Sequence, residues 1–66
     1  MNESTRRLIH QVNNLLSVIQ VQASVARSVG SEEAASKALE MIDAAAQRTE
    51  AVVQEVRAAA EAEAEG

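Results

Sequence analysis

The chain has 66 residues, with no Cys, no Pro, no aromatic residue and 47% apolar positions. A chain this short that lacks disulfides and thiolate metal sites usually needs a partner chain for stability, and nothing in it points to an oxidising compartment. The net charge is -4, and without a basic stripe or stacking aromatics the composition argues against a nucleic-acid partner.

The sequence contains no targeting or membrane segment that we recognise. The lead from Met1 to Thr5 is polar, and no apolar run approaches the ~20 residues of a membrane span. We therefore expect a cytoplasmic protein. The start at Met1 and the short polar lead favour a complete gene product, although a fragment of a larger protein would read similarly.

Two helices are predicted, over residues 4–29 and 32–63, because the chain is rich in Ala and lacks Pro. The interior break falls at Gly30 and Ser31, where Gly suits a left-handed helix cap and Ser suits the start of the next helix. Glu32 and Glu33 would then lie favourably at the positive end of the second helix. Residues 1–66 form one domain on this interpretation, and 61–66 form an acidic tail that we expect to fray.

Apolar spacing by three and four residues indicates a heptad seam on each helix. In the first helix the seam is Thr5, Leu8, Val12, Leu15, Ile19, Gln22, Ala26 and Val29. In the second it is Ala35, Leu39, Ile42, Ala46, Thr49, Val53, Val56 and Ala60. If the chain folds back at Gly30, residues whose numbers sum to about 61 lie opposite each other. The two seams meet this condition layer by layer, so they agree in register.

Each helix has more apolar positions than a contact with one other helix would cover. Flanking positions add to them: Ile9, Leu16, Ala23, Val18 and Val25 in the first helix, and Ala34, Ala38, Met41, Ala45 and Val52 in the second. Two hairpins packed as a four-helix bundle would cover these positions. The predicted fold class is therefore all-α, an antiparallel helical hairpin that forms an obligate homodimer.

His10 is the only imidazole, and the heptad phase points it away from the core. Arg6, Arg7, Asn13 and Asn14 lie within one helical turn of it. A neutral imidazole is a competent nucleophile, and a phosphoryl group on it would find guanidinium donors nearby. The alternative is a solvated helix face that happens to contain one His.

Other chemistry finds little support in the sequence. One His and outward carboxylates do not make a metal site. The two glycines form no phosphate-binding loop, and the acidic second helix does not suit a membrane surface. We expect no cofactor on this chain.

The segment His10-Gln11-Val12-Asn13-Asn14-Leu15-Leu16 resembles the H-box, H-D-x-N-N-L-L, of the dimerisation and histidine-phosphotransfer (DHp) domain of bacterial sensor histidine kinases. The stretch 42–53 looks like the second helix of that domain, so the resemblance covers about residues 5–57. It implies a homodimeric four-helix bundle with His10 as phosphoacceptor. Asn14 would match the position that helps to orient water during dephosphorylation of a response regulator.

The resemblance also implies limits. Family members usually carry Asp or Glu after the His as a base, whereas Gln11 cannot accept a proton, and no ATP-binding domain is present. The chain alone should not be a kinase, and Mg²⁺ is expected only on a partner receiver or kinase. Such a receiver would dock between His10 and the turn, over Asn14, Ser17, Val18 and Val21, with the neutral positions Gln47, Ala51 and Gln54 letting it approach.

Two hypotheses remain open from the sequence. In the first, the chain is a stand-alone two-component signalling module that carries a phosphoryl group on His10, or that binds and modulates a response-regulator receiver or a separate histidine kinase. In the second, it is a non-catalytic scaffolding bundle that uses the same fold to hold another protein.

Overall fold

The computed structural model describes residues 2–65 and the side chains of residues 2–64. Two helices, α1 (Glu3–Val29) and α2 (Glu32–Glu65), form an antiparallel hairpin. The predicted all-α hairpin is thus confirmed, with each helix end within two residues of its expected position. The molecule is 53 Å long, close to the ~51 Å of a 34-residue helix, so α2 determines its length.

Both helices begin with a side-chain cap. The Asn2 side chain accepts a hydrogen bond of 2.8 Å from the Thr5 amide, and Ser31 Oγ accepts one of 3.1 Å from the Ala34 amide. Each cap satisfies an amide that has no partner within its helix. The acidic residues Glu32 and Glu33 occupy the first turn of α2, as expected.

Gly30 ends α1 in the left-handed conformation, with φ 69° and ψ 16°. Its amide donates a hydrogen bond of 2.9 Å to the Ala26 carbonyl. A Cβ at this position would meet only the Arg27 carbonyl oxygen, at 3.9 Å, so the requirement for Gly comes from the backbone angle alone.

The contact between the helices is made of small residues. The buried positions are Ala38, Ala45, Thr49 and Val52, all on α2, and α1 has no fully buried residue. The Thr49 hydroxyl donates a hydrogen bond of 2.9 Å to the Ala45 carbonyl, which satisfies it within its own helix. The hairpin therefore has a thin core, and among the described residues no large side chain is fully buried.

The predicted seams are wrong in part. Four of the α2 seam positions, Ala35, Leu39, Ala46 and Ala60, are exposed, and the flanking positions Ala38, Ala45 and Val52 face α1 instead. On α1, Val12, Ile19 and Val29 are exposed, while Gln11 and Val18 are half-buried. Small side chains on the inner face permit a close helix contact, and the larger apolar side chains lie to one side of it.

The register of the hairpin agrees with expectation. Arg7 pairs with Glu55, whose numbers sum to 62 rather than the predicted 61. Thr5 and Val56, a predicted layer, both line one hollow of about 100 Å³ at the open end of the hairpin. Compared with the prediction, α2 therefore presents a different face to α1, but the two helices are not shifted along each other.

The acidic tail is helical through Glu65, two residues beyond the predicted end of the second helix. Ala-rich sequence favours helix even where nothing packs against it. Gly66, the last residue of the predicted tail, lies outside the described residues, as does Met1.

Gly30→Ala should lower the free energy of unfolding by about 1–2 kcal/mol, because a Cβ strains the left-handed conformation. Chemical denaturation followed by circular dichroism measures this change. Ser28→Ala, an exposed change on the last turn of α1, is the control and should be close to neutral. Equal stability of the two variants would contradict the assigned role of Gly30.

Ala45→Leu should destabilise the hairpin by about 1–3 kcal/mol, because the added side chain has no room in the close helix contact. Ala58→Leu adds the same atoms at an exposed position of α2 and should change stability by less than about 0.5 kcal/mol. Thermal unfolding of both variants tests the difference. A harmless Ala45→Leu would show that α2 faces α1 with another side.

Candidate functional site

His10 lies exposed on α1, about two turns from the helix start, as predicted from its heptad phase. Its position is fixed by the Asn2 cap, which sets where α1 begins, and by Leu8 and Gln11, which turn partly towards α2. The imidazole is thus presented to solvent from a rigid helix rather than from a loop.

An open, shallow hollow of about 280 Å³ lies beside this His, and we call it the His10 hollow. Glu3, Arg6, Arg7 and His10 line it. Arg6 and Arg7 belong to the predicted set, whereas Glu3 was not foreseen. Arg6 and Arg7 are the residue types that bind an anionic phosphoryl group, while Glu3 offsets part of their positive charge.

Arg7 also forms the ion pair between the two helices. Its Nη1 donates a short hydrogen bond to Glu55 Oε2, and it is the only salt bridge among the described residues. Both side chains remain more than half exposed. Sequence reasoning did not identify Glu55, although the predicted register places Arg7 opposite residue 54, one position away.

The ion pair defines one flank of the hairpin. Successive helix residues are rotated by about 100°, so residues just before an inward position point to one side and residues just after it point to the other. Arg7 precedes the inward Leu8 and Glu55 precedes the inward Val56, and they meet on one side. We call this side the histidine flank, because His10 likewise precedes the half-buried Gln11.

The rest of the predicted docking surface follows the same flank. Asn14, Ser17 and Val21 are exposed and continue from His10 at spacings of four, three and four residues. Val18 is different, because it is half-buried against the hairpin contact and is only partly available to a partner. Asn13 is exposed within one turn of His10, as expected.

On α2, the neutral positions Gln47, Ala51 and Gln54 line a separate hollow of about 210 Å³ together with Glu50. These positions are exposed, as the sequence suggested. Gln47 is partly fixed, because its amide donates a hydrogen bond of 3.0 Å to the Asp43 carboxylate one turn earlier.

The opposite side of the hairpin carries large apolar side chains, and we call it the apolar face. It consists of residues that follow inward positions or border them: Ile9, Val12, Leu16, Ile19 and Ala23 of α1, and Leu39, Ile42, Ala46 and Val53 of α2. Leu16 is 50% exposed and Leu39 is 66% exposed. The α1 members are themselves spaced by three and four residues, as a second heptad seam would be.

Among the side chains of residues 2–64, no three His, Asp or Glu come together to hold a metal ion. No helix in the described part of the chain is both long and apolar enough to cross a bilayer.

No protein-family model, no curated protein and no solved structure matches this chain.

Proposed function

We propose that this chain is a homodimeric two-component signalling module that carries a phosphoryl group on His10, or that binds and modulates a response-regulator receiver. The observation that carries the proposal is the placement of an exposed imidazole in a hollow with two Arg, on the flank opposite the apolar face. The resemblance of residues 10–16 to the H-box supports the same assignment.

The apolar face supplies the argument for the homodimer. Five of its large side chains remain 37% to 66% exposed, and burying this apolar surface would contribute about 25 cal/mol per Å². A second copy offers the same heptad-spaced surface, as a symmetric interface requires. Because this face and the histidine flank are on opposite sides, a four-helix bundle would leave His10 free.

In the proposed transfer, an imidazole nitrogen of His10 attacks the phosphorus of an aspartyl phosphate on a receiver. The N–P bond forms as the O–P bond breaks, and the receiver carboxylate leaves with the electron pair. Arg6 and Arg7 bind the phosphoryl oxygens, and the receiver supplies its own Mg²⁺. This reaction needs no base from residue 11, so it is compatible with Gln at that position.

Gln11 argues against autophosphorylation of His10 from ATP. Its amide cannot accept a proton, and its side chain is half-buried towards α2 rather than beside the outward face of His10. We therefore propose that phosphoryl groups arrive from a receiver or from a separate kinase.

The second candidate is a scaffolding bundle that holds another protein. The same half-buried Gln11 favours it, since a chain that never phosphorylates itself can dispense with an acidic residue there. In that case the His10 hollow is a solvated surface, and His10→Ala leaves the binding of the partner intact.

His10→Ala should abolish acid-labile labelling when the protein is mixed with phosphorylated receivers from the same genome, because no other imidazole is present. The measurement follows both label on this chain and loss of label from each receiver. Gln20→Ala, an exposed change on α1 outside the predicted site, is the control and should keep the label. If no receiver transfers or loses phosphate faster with the wild type, the scaffold is favoured.

Leu16→Glu should convert the dimer to monomer and lower the unfolding temperature, because it places a charge at the centre of the apolar face. Val21→Glu adds the same charge on the histidine flank, where the native side chain is similarly exposed, and should leave the dimer intact. Sedimentation velocity distinguishes the two states. A monomeric wild type, or equal dissociation by both variants, would contradict this interface.

A further inference from the structure

Arg7 takes part in two features of the structure, the His10 hollow and the ion pair between the helices. It lines the His10 hollow, one turn before the imidazole, and it donates to Glu55 across the hairpin. Arg6 also lines the hollow but forms no ion pair among the described residues. Of the two cations beside His10, therefore, only Arg7 is already held by a carboxylate.

The Glu55 carboxylate and a phosphoryl group would bind the same N–H donors of Arg7. A carboxylate and a phosphoryl group both accept hydrogen bonds from the N–H groups of a guanidinium. A guanidinium that already binds a carboxylate is therefore less available to a phosphoryl group. The existing pair is exposed on both sides, at 59% and 54%, so water weakens it. A phosphoryl group, which carries more charge and more acceptor oxygens than a carboxylate, can displace such a partner.

We propose that Glu55 is a positioning residue that controls the His10 site by competing with phosphoryl groups for Arg7. This inference rests on the proposed function, since it takes His10 to be the phosphoacceptor. Without phosphate, Glu55 holds Arg7 across the hairpin. When a phosphoryl donor enters the His10 hollow, Arg7 leaves Glu55 and binds the phosphoryl oxygens.

The exchange couples the chemistry at His10 to the contact between the helices. The Arg7–Glu55 pair is the one charged link between α1 and α2 within residues 2–64, and it lies near the open end of the hairpin. Phosphorylation of His10 therefore removes a link that α2 makes to α1, and a bound partner can sense that change.

The test uses phosphoramidate, a small phosphoryl donor that reacts with exposed imidazoles without a partner protein. The imidazole lone pair forms the N–P bond as the P–N bond of the donor breaks and ammonia leaves. Phosphate incorporation at His10 is followed by mass spectrometry in the intact wild-type chain. Circular dichroism of each variant confirms that the helices remain formed.

Glu55→Gln should label His10 about two- to fivefold faster than the wild type, because Arg7 is released to the donor. Glu50→Gln is the matched control: it removes the same charge from an exposed position of α2 that forms no ion pair, and its rate should stay near that of the wild type. Arg7→Gln should be slower than wild type. The double variant Arg7→Gln/Glu55→Gln should match Arg7→Gln, since Glu55 acts only through Arg7.

Two results would overturn the competition. Equal acceleration by Glu55→Gln and Glu50→Gln would show that only net charge matters. A double variant as fast as Glu55→Gln would show that Glu55 acts without Arg7. Failure of a different kind is distinguishable: if His10 stays unlabelled in every variant while a His-containing peptide reacts, the phosphoacceptor role fails, and the competition fails with it.

Discussion

The narrow contact between the two helices is the constraint on which the rest of the structure depends. Alanine at positions 38 and 45 allows close approach, but a contact of this kind covers only one side of each helix. The apolar stripes are wider than that, so large side chains such as Leu16 and Leu39 stay in water. A chain with so little buried surface is marginal alone. Five of the nine large apolar residues that are exposed in the described part of the chain lie on the apolar face, while Val21 lies on the histidine flank.

The same geometry separates two surfaces of the hairpin. Residues that follow inward positions form the apolar face, and residues that precede them form the histidine flank, which includes His10 and the Arg7–Glu55 pair. A helix rotates by about 100° per residue, so one step along the chain is enough to move a side chain from one flank to the other. The proposed association and the proposed phosphoryl chemistry would therefore use different surfaces of one short hairpin.

Electrostatics links the two helices at the proposed site. Residues 1–30 carry a net +2 and residues 31–66 a net -6, so a carboxylate of α2 is a natural partner for a basic residue of α1. Arg7 and Glu55 realise that partnership beside His10. An exposed pair adds little stability, which is why its significance lies in where it holds the guanidinium group.

The sequence by itself determined the two helices, the caps at Gly30 and Ser31, the turn between them and the hairpin register, because these depend on local preferences and on counting back from one turn. The Asn2 cap of α1 was seen only in the structure. It also determined that His10 is exposed with Arg6 and Arg7 beside it, since neighbours on one helix follow from spacing alone. Only the tertiary structure decided which of two overlapping seams faces α1, and hence that Gln11 and Val18 turn partly inward while Val12 and Ile19 turn out. Both seams have heptad spacing, and the choice between them rests on how closely small side chains let two backbones approach, a property of the packed pair. Likewise Glu55 became part of the site only when α2 was placed against α1.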